Sequence, residues 1–199
     1  MMIQGELKNN VDRADVFIDG GYFAKVRENL DAYDVDFCVF SDLLCGNLER
    51  LFTFYYDCPP FQSNPPTAEE KSKKASFDRF EYSLKSYPRF QVRLGKLSRF
   101  NSTCEKCGHN VTIHRQKRVD NLLTVDLTRA IWKDNIHKAI LVTGDSDFVP
   151  AVEEANRAQI LTHVYYLESK NTTIHDELYM ACSERTEITK ELLQKALRT

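Results

Sequence analysis

A short apolar run that ends in two carboxylates places the strongest constraint on this chain. Residues 139–142 are Ala-Ile-Leu-Val, the pattern of a strand covered on both faces of a sheet. Thr-Gly-Asp-Ser-Asp follows at once and carries Asp145 and Asp147, and Pro150 then begins a helical pattern. In open α/β sheets, ligands bind outside the carboxyl ends of the strands. Two aspartates this close repel each other unless a cation lies between them, although a plain turn explains this motif equally well on its own.

Two further segments place an aspartate where a strand gives way to a helix. Residues 15–18, Asp-Val-Phe-Ile, form a strand pattern that runs into Asp19 and then Gly20-Gly21, and Asp120 opens the helix that precedes the 139–142 strand. Each aspartate taken singly is explained as a helix N-cap. Three separate segments with the same arrangement weaken that explanation, so we expect the aspartates to converge at one edge of the sheet.

The order of the predicted elements favours an α/β fold with a mostly parallel central sheet and helices on both faces. Strands are predicted near 15–19, 51–56, 90–94, 139–142 and 160–167, with helices at 22–30, 67–87, 119–132 and 148–157. Thr67 and Glu70 have the spacing of a capping box. The 199 residues fit one domain, 1–199, with an inserted hairpin at 95–115 and C-terminal helices in 174–199. The last helix, predicted at 187–197, packs on the domain or on a second copy, as in a homodimer.

The composition predicts a cytoplasmic protein without a membrane partner. No apolar run approaches the roughly 20 residues that a membrane span needs. The N-terminal residues 1–12 are polar and contain no apolar signal core. We therefore expect the six cysteines to be reduced.

Positive charge is concentrated in residues 89–118, which carry eight basic residues and one acidic residue, a net charge of +7 in a chain of net charge −2. Such a strip beside a carboxylate cluster suits a nucleic acid that is held by its phosphates, and a solvated hairpin is the alternative. Lys117 lies three residues before Asp120, within reach of a phosphate oxygen, and an ordinary surface lysine is the alternative. The candidate substrate-binding residues are Lys96, Arg99, Arg115, Lys117 and Arg118.

The inserted hairpin contains one Cys-x-x-Cys pair. Cys104 and Cys107 supply half of a tetrahedral zinc site, and His109 and His114 are the candidates to complete it. His109 is so close to Cys107 that the geometry is cramped. A structural zinc and a metal-free basic hairpin both remain open.

The aspartates carry the chemistry that we expect. Asp19, Asp120, Asp145 and Asp147 offer the oxygen ligands that Mg²⁺ and Mn²⁺ prefer, and such an ion activates water and neutralises a phosphodiester. Asp126 fits less well, because six residues along a helix turn through about 600°, which directs it about 120° away from Asp120. It is interpreted as a supporting group or as a structural carboxylate.

Three patterns resemble those of the NYN domain family, the LabA-like branch of the PIN-like nucleases. They are Ile-Asp-Gly-Gly-Tyr at 18–22, Lys-Arg-Val-Asp at 117–120 with Asp126, and Thr-Gly-Asp-Ser-Asp-Phe at 143–148. The resemblance spans about residues 15–167. It implies a PIN-like Rossmannoid three-layer fold and metal-dependent cleavage of RNA by the four aspartates. Tyr22 departs from the Asn that many relatives carry, and Gln159 stands where a helix-ending glycine is common.

Two functions of different classes follow. The first is a Mg²⁺- or Mn²⁺-dependent nuclease, with RNA favoured over DNA as substrate. The second is a catalytically silent PIN-like module that binds nucleic acid. The intact set of aspartates favours the enzyme, because a pure binder has no need of clustered like charges. A phosphatase acting on small phosphoesters is disfavoured by the basic strip.

Overall fold

The chain folds into eight strands and seven α-helices in the part that the structure describes. The computed structural model describes residues 12–103, 106–133 and 136–198, with the side chains of 98–103 and 110–117 excepted. The strands are β1 (Arg13–Asp19), β2 (Glu49–Asp57), β3 (Phe90–Leu94), β4 (Lys96–Thr103), β5 (Asn110–Lys117), β6 (Lys138–Val142), β7 (Leu161–Tyr166) and β8 (Glu184–Glu187). The helices are α1 (Gly20–Asn29), α2 (Phe37–Cys45), α3 (Ala68–Ser86), α4 (Val119–Lys133), α5 (Val149–Arg157), α6 (Asp176–Ala181) and α7 (Lys190–Gln194).

Six of these strands form one sheet in the order β3-β2-β1-β6-β7-β8, and every neighbouring pair is parallel. β2 and β3 extend the sheet on one side of β1. The chain then returns to the centre of the sheet, and β6, β7 and β8 extend it on the other side of β1. The reversal lies between β1 and β6, and a crevice opens at such a point beyond the carboxyl ends of the two strands. The predicted α/β fold with a mostly parallel sheet is confirmed.

Each face of the sheet carries its own apolar core because alternate side chains of β1 point to opposite faces. Val16 and Ile18 belong to one core, together with Phe23 of α1. Phe17 belongs to the other, together with Leu123 and Leu127 of α4, and its ring stacks on Phe54 of β2 with centroids 5.2 Å apart. The layers therefore hold α1 and α4 on opposite sides of the strand that ends at Asp19.

Local capping chemistry explains where the helices begin and end. The Thr67 hydroxyl accepts a hydrogen bond from the Glu70 amide and the Glu70 carboxylate accepts one from the Thr67 amide, so the predicted capping box is present. Gln159, just beyond α5, has φ +61°, the left-handed conformation in which glycine is favoured. The chain therefore keeps the helix-ending geometry at this position without the glycine.

The C-terminal segment differs from the all-helical expectation for 174–199. The predicted helix at 187–197 is reduced to α7, and residues 184–187 form the edge strand β8, which pairs with β7. The sequence of β8, Glu-Arg-Thr-Glu, contains no apolar residue and a single β-branched residue, Thr186, which is too weak a pattern to predict a strand. Its pairing depends on tertiary contacts instead, including an ion pair of 2.8 Å between Lys138 Nζ and Glu184.

The inserted hairpin is present as β4 and β5, an antiparallel pair that forms a separate two-stranded sheet. Its register pairs Lys96 with Lys117, so the base of the hairpin adjoins the start of α4.

No helix in the described part of the chain is long and apolar enough to cross a membrane. The five described cysteines form no disulfide.

Asp126 lies in the buried interface between α4 and the sheet. Its carboxylate accepts hydrogen bonds from the Tyr56 hydroxyl at 3.2 Å and from Arg93 Nε at 2.9 Å. The Arg93 guanidinium also lies over the Phe54 ring, 5.7 Å from its centroid. Asp126 is therefore a structural carboxylate that joins α4 to β2 and β3, which is one of the two interpretations drawn from its helical position.

Replacement of Arg93 by Met should lower the free energy of unfolding by about 2 kcal/mol. The substitution leaves the Asp126 carboxylate, whose side chain is 7% exposed, with the Tyr56 hydroxyl as its one side-chain partner among the described residues. Loss of one partner of a fully buried pair costs about 3–5 kcal/mol, and the 32% exposure of Arg93 reduces that figure. Urea unfolding measures the difference. Arg157→Met is the control, because Arg157 is 66% exposed and its ion pairs contribute at most about 1 kcal/mol. Equal losses in the two variants would contradict the structural role.

Candidate active site

Three of the predicted aspartates line one cavity at the point where the strand order reverses. Asp19 ends β1, Asp145 follows β6, and Asp120 lies in the first turn of α4. The cavity has a volume of about 590 Å³. Its other lining residues are Gly21, Tyr22, Lys25, Val119, Gly144, Asn171, Thr172, Thr173 and His175.

Asp19 is held in place by hydrogen bonds to both carboxylate oxygens. Oδ1 accepts from the Tyr22 amide at 3.1 Å, which caps α1, and Oδ2 accepts from the Thr143 hydroxyl of the neighbouring segment at 3.4 Å. Burial raises the pKa of Asp19, and the charges of Asp120 and Asp145 raise it further, while the backbone hydrogen bonds act in the opposite direction. The carboxylate is thus fixed by its capping role and is costly to ionise.

Asp120 is also costly to ionise. Burial raises the pKa of its carboxyl group, and the charges of Asp145 and Asp147 add to that increase. Asp145 is oriented by the turn in which it lies, because its Oδ1 accepts the Asp147 amide at 3.0 Å and its own amide donates to the Thr143 hydroxyl at 3.3 Å. Thr143 therefore contacts both Asp19 and Asp145.

Asp147 occupies a different position from the other three aspartates. It lies in a short 3₁₀ turn, Ser146–Phe148, its side chain is exposed, and it does not line the cavity. Its charge still acts on Asp120. The structure thus brings Asp19, Asp120 and Asp145 together and leaves Asp147 at the margin of the site.

Gly144 is required by packing immediately beside the aspartates. A Cβ atom at this position would lie 2.3 Å from the Thr173 carbonyl oxygen and 2.6 Å from Cε2 of Tyr22. Gly20 is equally constrained, since a Cβ there would lie 2.6 Å from the Tyr56 carbonyl oxygen. The glycines therefore let neighbouring segments approach the carboxylates closely.

The candidate substrate-binding residues belong to the hairpin and to its junction with α4. Lys96 and Arg118 are exposed, and Arg118 has φ +78° immediately before α4. The side chains of Arg99, Arg115 and Lys117 lie outside the described residues. Two other members of the basic strip are already engaged within the protein, because Arg89 pairs with Glu49 and Arg93 with Asp126. The positive charge available to a ligand is thus concentrated in the hairpin.

The zinc prediction rests on residues that the structure describes only in part. Cys107 and His109 are exposed in the turn between β4 and β5. Cys104 and the side chain of His114 lie outside the described residues. The zinc site stays a prediction, as does the homodimer.

One wall of the cavity was not predicted from the sequence. Lys25 projects from α1, and Asn171, Thr173 and His175 belong to residues 167–175, which we call loop 167–175. This loop follows the carboxyl end of β7. Ligands bind outside the carboxyl ends of parallel strands, and this rule applies to β7 as it does to β1 and β6. The polar run Asn-Thr-Thr at 171–173, shortly after β7, could therefore have indicated this wall of the site.

The cavity offers oxygen donors of the kind that hard divalent cations prefer. In the described part of the chain, however, no set of three or more His, Cys, Asp or Glu side chains is arranged to hold one metal ion directly. Mg²⁺ usually keeps several of its waters and is bound through one or two carboxylates. The donors therefore fit a hydrated ion that is held partly through water, and they do not fit an ion enclosed by protein.

The fold and the site together define a parallel α/β domain with a carboxylate-lined cavity at its topological switch point. The chain belongs to the NYN domain family, a family of PIN-like, nuclease-like domains, because the family model matches residues 13–189. The fold is similar to the crystal structure of a protein of unknown function, VPA0982 from Vibrio parahaemolyticus, with a TM-score of 0.57 and 18% identity over 96% of this chain and 98% of that chain. No curated protein matches the chain.

Without divalent cations, Asp145→Asn should make the protein more stable at pH 7 by up to about 1 kcal/mol. The pKa values of Asp19 and Asp120 are raised above the ordinary value of 3.8, so the stability contributed by their protonated forms is complete below pH 3.8 and is lost as the pH rises through the raised values. The Asp145 charge is one cause of that increase. Asparagine keeps the acceptor for the Asp147 amide.

Urea unfolding in EDTA at pH 3.5 and at pH 7 measures this effect. The variant and the wild type should unfold alike at the lower pH, where Asp19 and Asp120, with their raised pKa values, are largely protonated, and diverge at the higher pH. Asp34→Asn, at an exposed position away from the cavity, is the control and should show no pH-dependent difference. A variant that is less stable than the wild type at pH 7 would contradict the repulsion.

Proposed function

We propose that this protein is a metal-dependent nuclease that hydrolyses phosphodiester bonds, with RNA favoured over DNA as substrate. The observation that carries the proposal is the convergence of Asp19, Asp120 and Asp145, from three separate segments, on one cavity in a chain of a nuclease-like family. The raised pKa values of Asp19 and Asp120 support it, because a carboxylate cluster that is costly to ionise is the arrangement that a cation relieves.

The aspartates would hold Mg²⁺ or Mn²⁺ through carboxylate oxygens and intervening water. When bound, such an ion neutralises the charge of a phosphodiester and lowers the pKa of a coordinated water. The chain itself contributes rigid placement of these oxygens. Thr143 and the Tyr22 amide orient Asp19, and the Asp147 amide orients Asp145. Asp147, at the exposed margin, is in a position to bind through water or to act on the field at Asp120.

The substrate would approach over the basic hairpin. Lys96 and Arg118 lie at the base of the hairpin next to α4, and Lys117 is paired with Lys96 in the strand register. Together with Arg99 and Arg115, they would attract the phosphates that the uncompensated aspartates repel.

A catalytically silent nucleic-acid-binding module is the second candidate. It is favoured by one observation, the absence from the described part of the chain of a carboxylate set arranged to hold an ion directly. Cleavage separates the two functions, because a silent module binds the same substrates and leaves them intact.

Asp145→Asn should reduce cleavage by more than about 100-fold, because loss of a group that only supports a metal ligand already costs about 10- to 100-fold. Labelled single-stranded RNA and DNA of the same sequence are incubated with the full chain in Mn²⁺, in Mg²⁺ and in EDTA. Cleavage should require the metal and should be faster for RNA. Asp34→Asn is the matched control and should cleave at the wild-type rate. Activity that persists in EDTA or in the Asp145 variant, with contaminating nuclease excluded, would overturn the proposal.

Neutralising Lys96, Arg99 and Arg115 together as Gln should weaken nucleic-acid binding and flatten its salt dependence. Each lost phosphate contact on a single strand should reduce the slope of log affinity against log salt by about 0.7. The control is Lys71, Lys73 and Lys74 changed to Gln, which removes the same charge from α3. If the two triple variants behave alike, the hairpin acts only through net charge and is not the binding surface.

A further inference from the structure

A second cavity continues the carboxylate-lined one along helix α1. It has a volume of about 350 Å³ and is lined by Lys25, Glu28, Asn29, Asn171 and Thr172. Three of these residues, Lys25, Asn171 and Thr172, line the carboxylate cavity as well. The two cavities are therefore neighbouring parts of one depression, and we call the second part the α1 groove.

The far wall of the α1 groove is held firmly against the helix. Asn29 Nδ2 donates to the Thr172 hydroxyl at 3.2 Å, and its Oδ1 accepts from the Ser169 hydroxyl at 3.2 Å. Within the loop, the Ser169 amide donates to the Thr172 carbonyl at 2.8 Å. A single asparagine of α1 thus binds both sides of the tight turn that carries Asn171.

Loop 167–175 is also bound at two points to the segments that carry Asp19 and Asp145. The Tyr22 hydroxyl accepts from the Leu167 amide at 3.0 Å, and the His175 amide donates to the Gly144 carbonyl at 3.0 Å. The Thr173 carbonyl packs so closely on Gly144 that no side chain fits between them. The loop is therefore positioned by the same segments that position Asp19 and Asp145.

Several polar groups along this wall have no partner within the described part of the chain. Among the described residues, the side chains of Lys25, Asn171, Thr173 and His175 make no hydrogen bond or ion pair with one another or with the rest of the chain. All of them can donate hydrogen bonds. Of the described residues that line the carboxylate cavity, Lys25 is the one Lys or Arg, and it lies where the two cavities meet.

From this arrangement we propose that the α1 groove binds the sugar–phosphate backbone of a single nucleic-acid strand on one side of the scissile phosphate. The assignment rests on the proposed function for the location of that phosphate. Lys25 contacts the phosphate at the junction of the cavities, and Asn171 and Glu28 hydrogen-bond to the sugar beyond it. The groove lining contains no aromatic ring among the described residues, so it recognises the backbone rather than stacked bases.

The lining also distinguishes RNA from DNA. A ribose 2′-hydroxyl is both a donor and an acceptor, so it can donate to the Glu28 carboxylate and accept from the Asn171 amide. Deoxyribose offers neither bond. The groove is therefore a specificity element formed by α1 and loop 167–175, separate from the hairpin over which the substrate is proposed to approach.

Lys25→Gln should weaken the binding of a short labelled single-stranded RNA by about threefold to tenfold and reduce the salt slope by about 0.7. Fluorescence anisotropy of the full chain in EDTA, and of the Asp145→Asn variant in Mg²⁺, measures both quantities without cleavage. Lys170→Gln is the matched control, because Lys170 lies in the turn that carries Asn171, is exposed and does not line either cavity. It should bind as the wild type does.

Two further measurements test whether the groove recognises ribose and which end of the strand occupies it. Asn171→Ala should weaken binding of RNA more than binding of DNA of the same sequence. When the oligonucleotide is shortened from each end in turn, the effect of Lys25→Gln should disappear for one end alone, the end that occupies the groove.

Three results would overturn the assignment: equal effects of the Lys25 and Lys170 variants, wild-type affinity in Lys25→Gln, or no binding of either nucleic acid by the wild type. Failure of the nuclease proposal is distinct. A protein that binds through Lys25 and cleaves nothing in Mn²⁺ retains the groove and loses the enzymatic function. A protein that cleaves, but binds equally well without Lys25, loses only the groove.

Discussion

The parallel pairing of β1 with β6 is the interaction on which the site depends. Ile18 is paired with Val142, so the two strands end together and Asp19 lies beside Thr143. The Thr143 hydroxyl then contacts Asp19 directly and receives the Asp145 amide. A shift of one residue in this register would turn the buried side chains of β6 to the opposite face and separate the two carboxylates. The apolar cores on both faces make such a shift costly, so the stability of the sheet also fixes the geometry of the site.

The protein uses its buried and partly buried carboxylates in two opposite ways. Asp126 is compensated by Arg93 and Tyr56, and it joins α4 to the sheet. Asp19 and Asp120 have no basic partner within the described residues, and burial together with repulsion by neighbouring aspartates raises their pKa values. An arrangement that is unfavourable in the isolated protein becomes favourable when a cation or a positively charged ligand group enters, which is the property expected of a functional site.

Strong local signals made much of the fold predictable. The capping box at Thr67 and Glu70 placed the start of α3 within one residue, and the apolar run at 139–142 identified β6. The three aspartates of the cavity were recognised because each stands where a strand gives way to a helix. β8 was missed because Glu-Arg-Thr-Glu has no strand-forming pattern, and its pairing is supported by Lys138 and by the hydrogen bonds of β7. Loop 167–175 was missed because its polar residues are ordinary for a loop until the fold shows what they face.

The sequence by itself determined which groups carry the chemistry and which strand ends present them, because strand periodicity, capping and turn residues act over a few positions along the chain. Only the tertiary structure decided that Asp147 stands at the margin, that Asp126 is structural, and that Lys25 and Asn171 form a second wall beside the carboxylates. Each of these outcomes depends on contacts between residues far apart in the chain. Asn29 reaches Thr172 and Tyr56 reaches Asp126, and no local pattern encodes which distant partner a polar side chain meets once the layers pack.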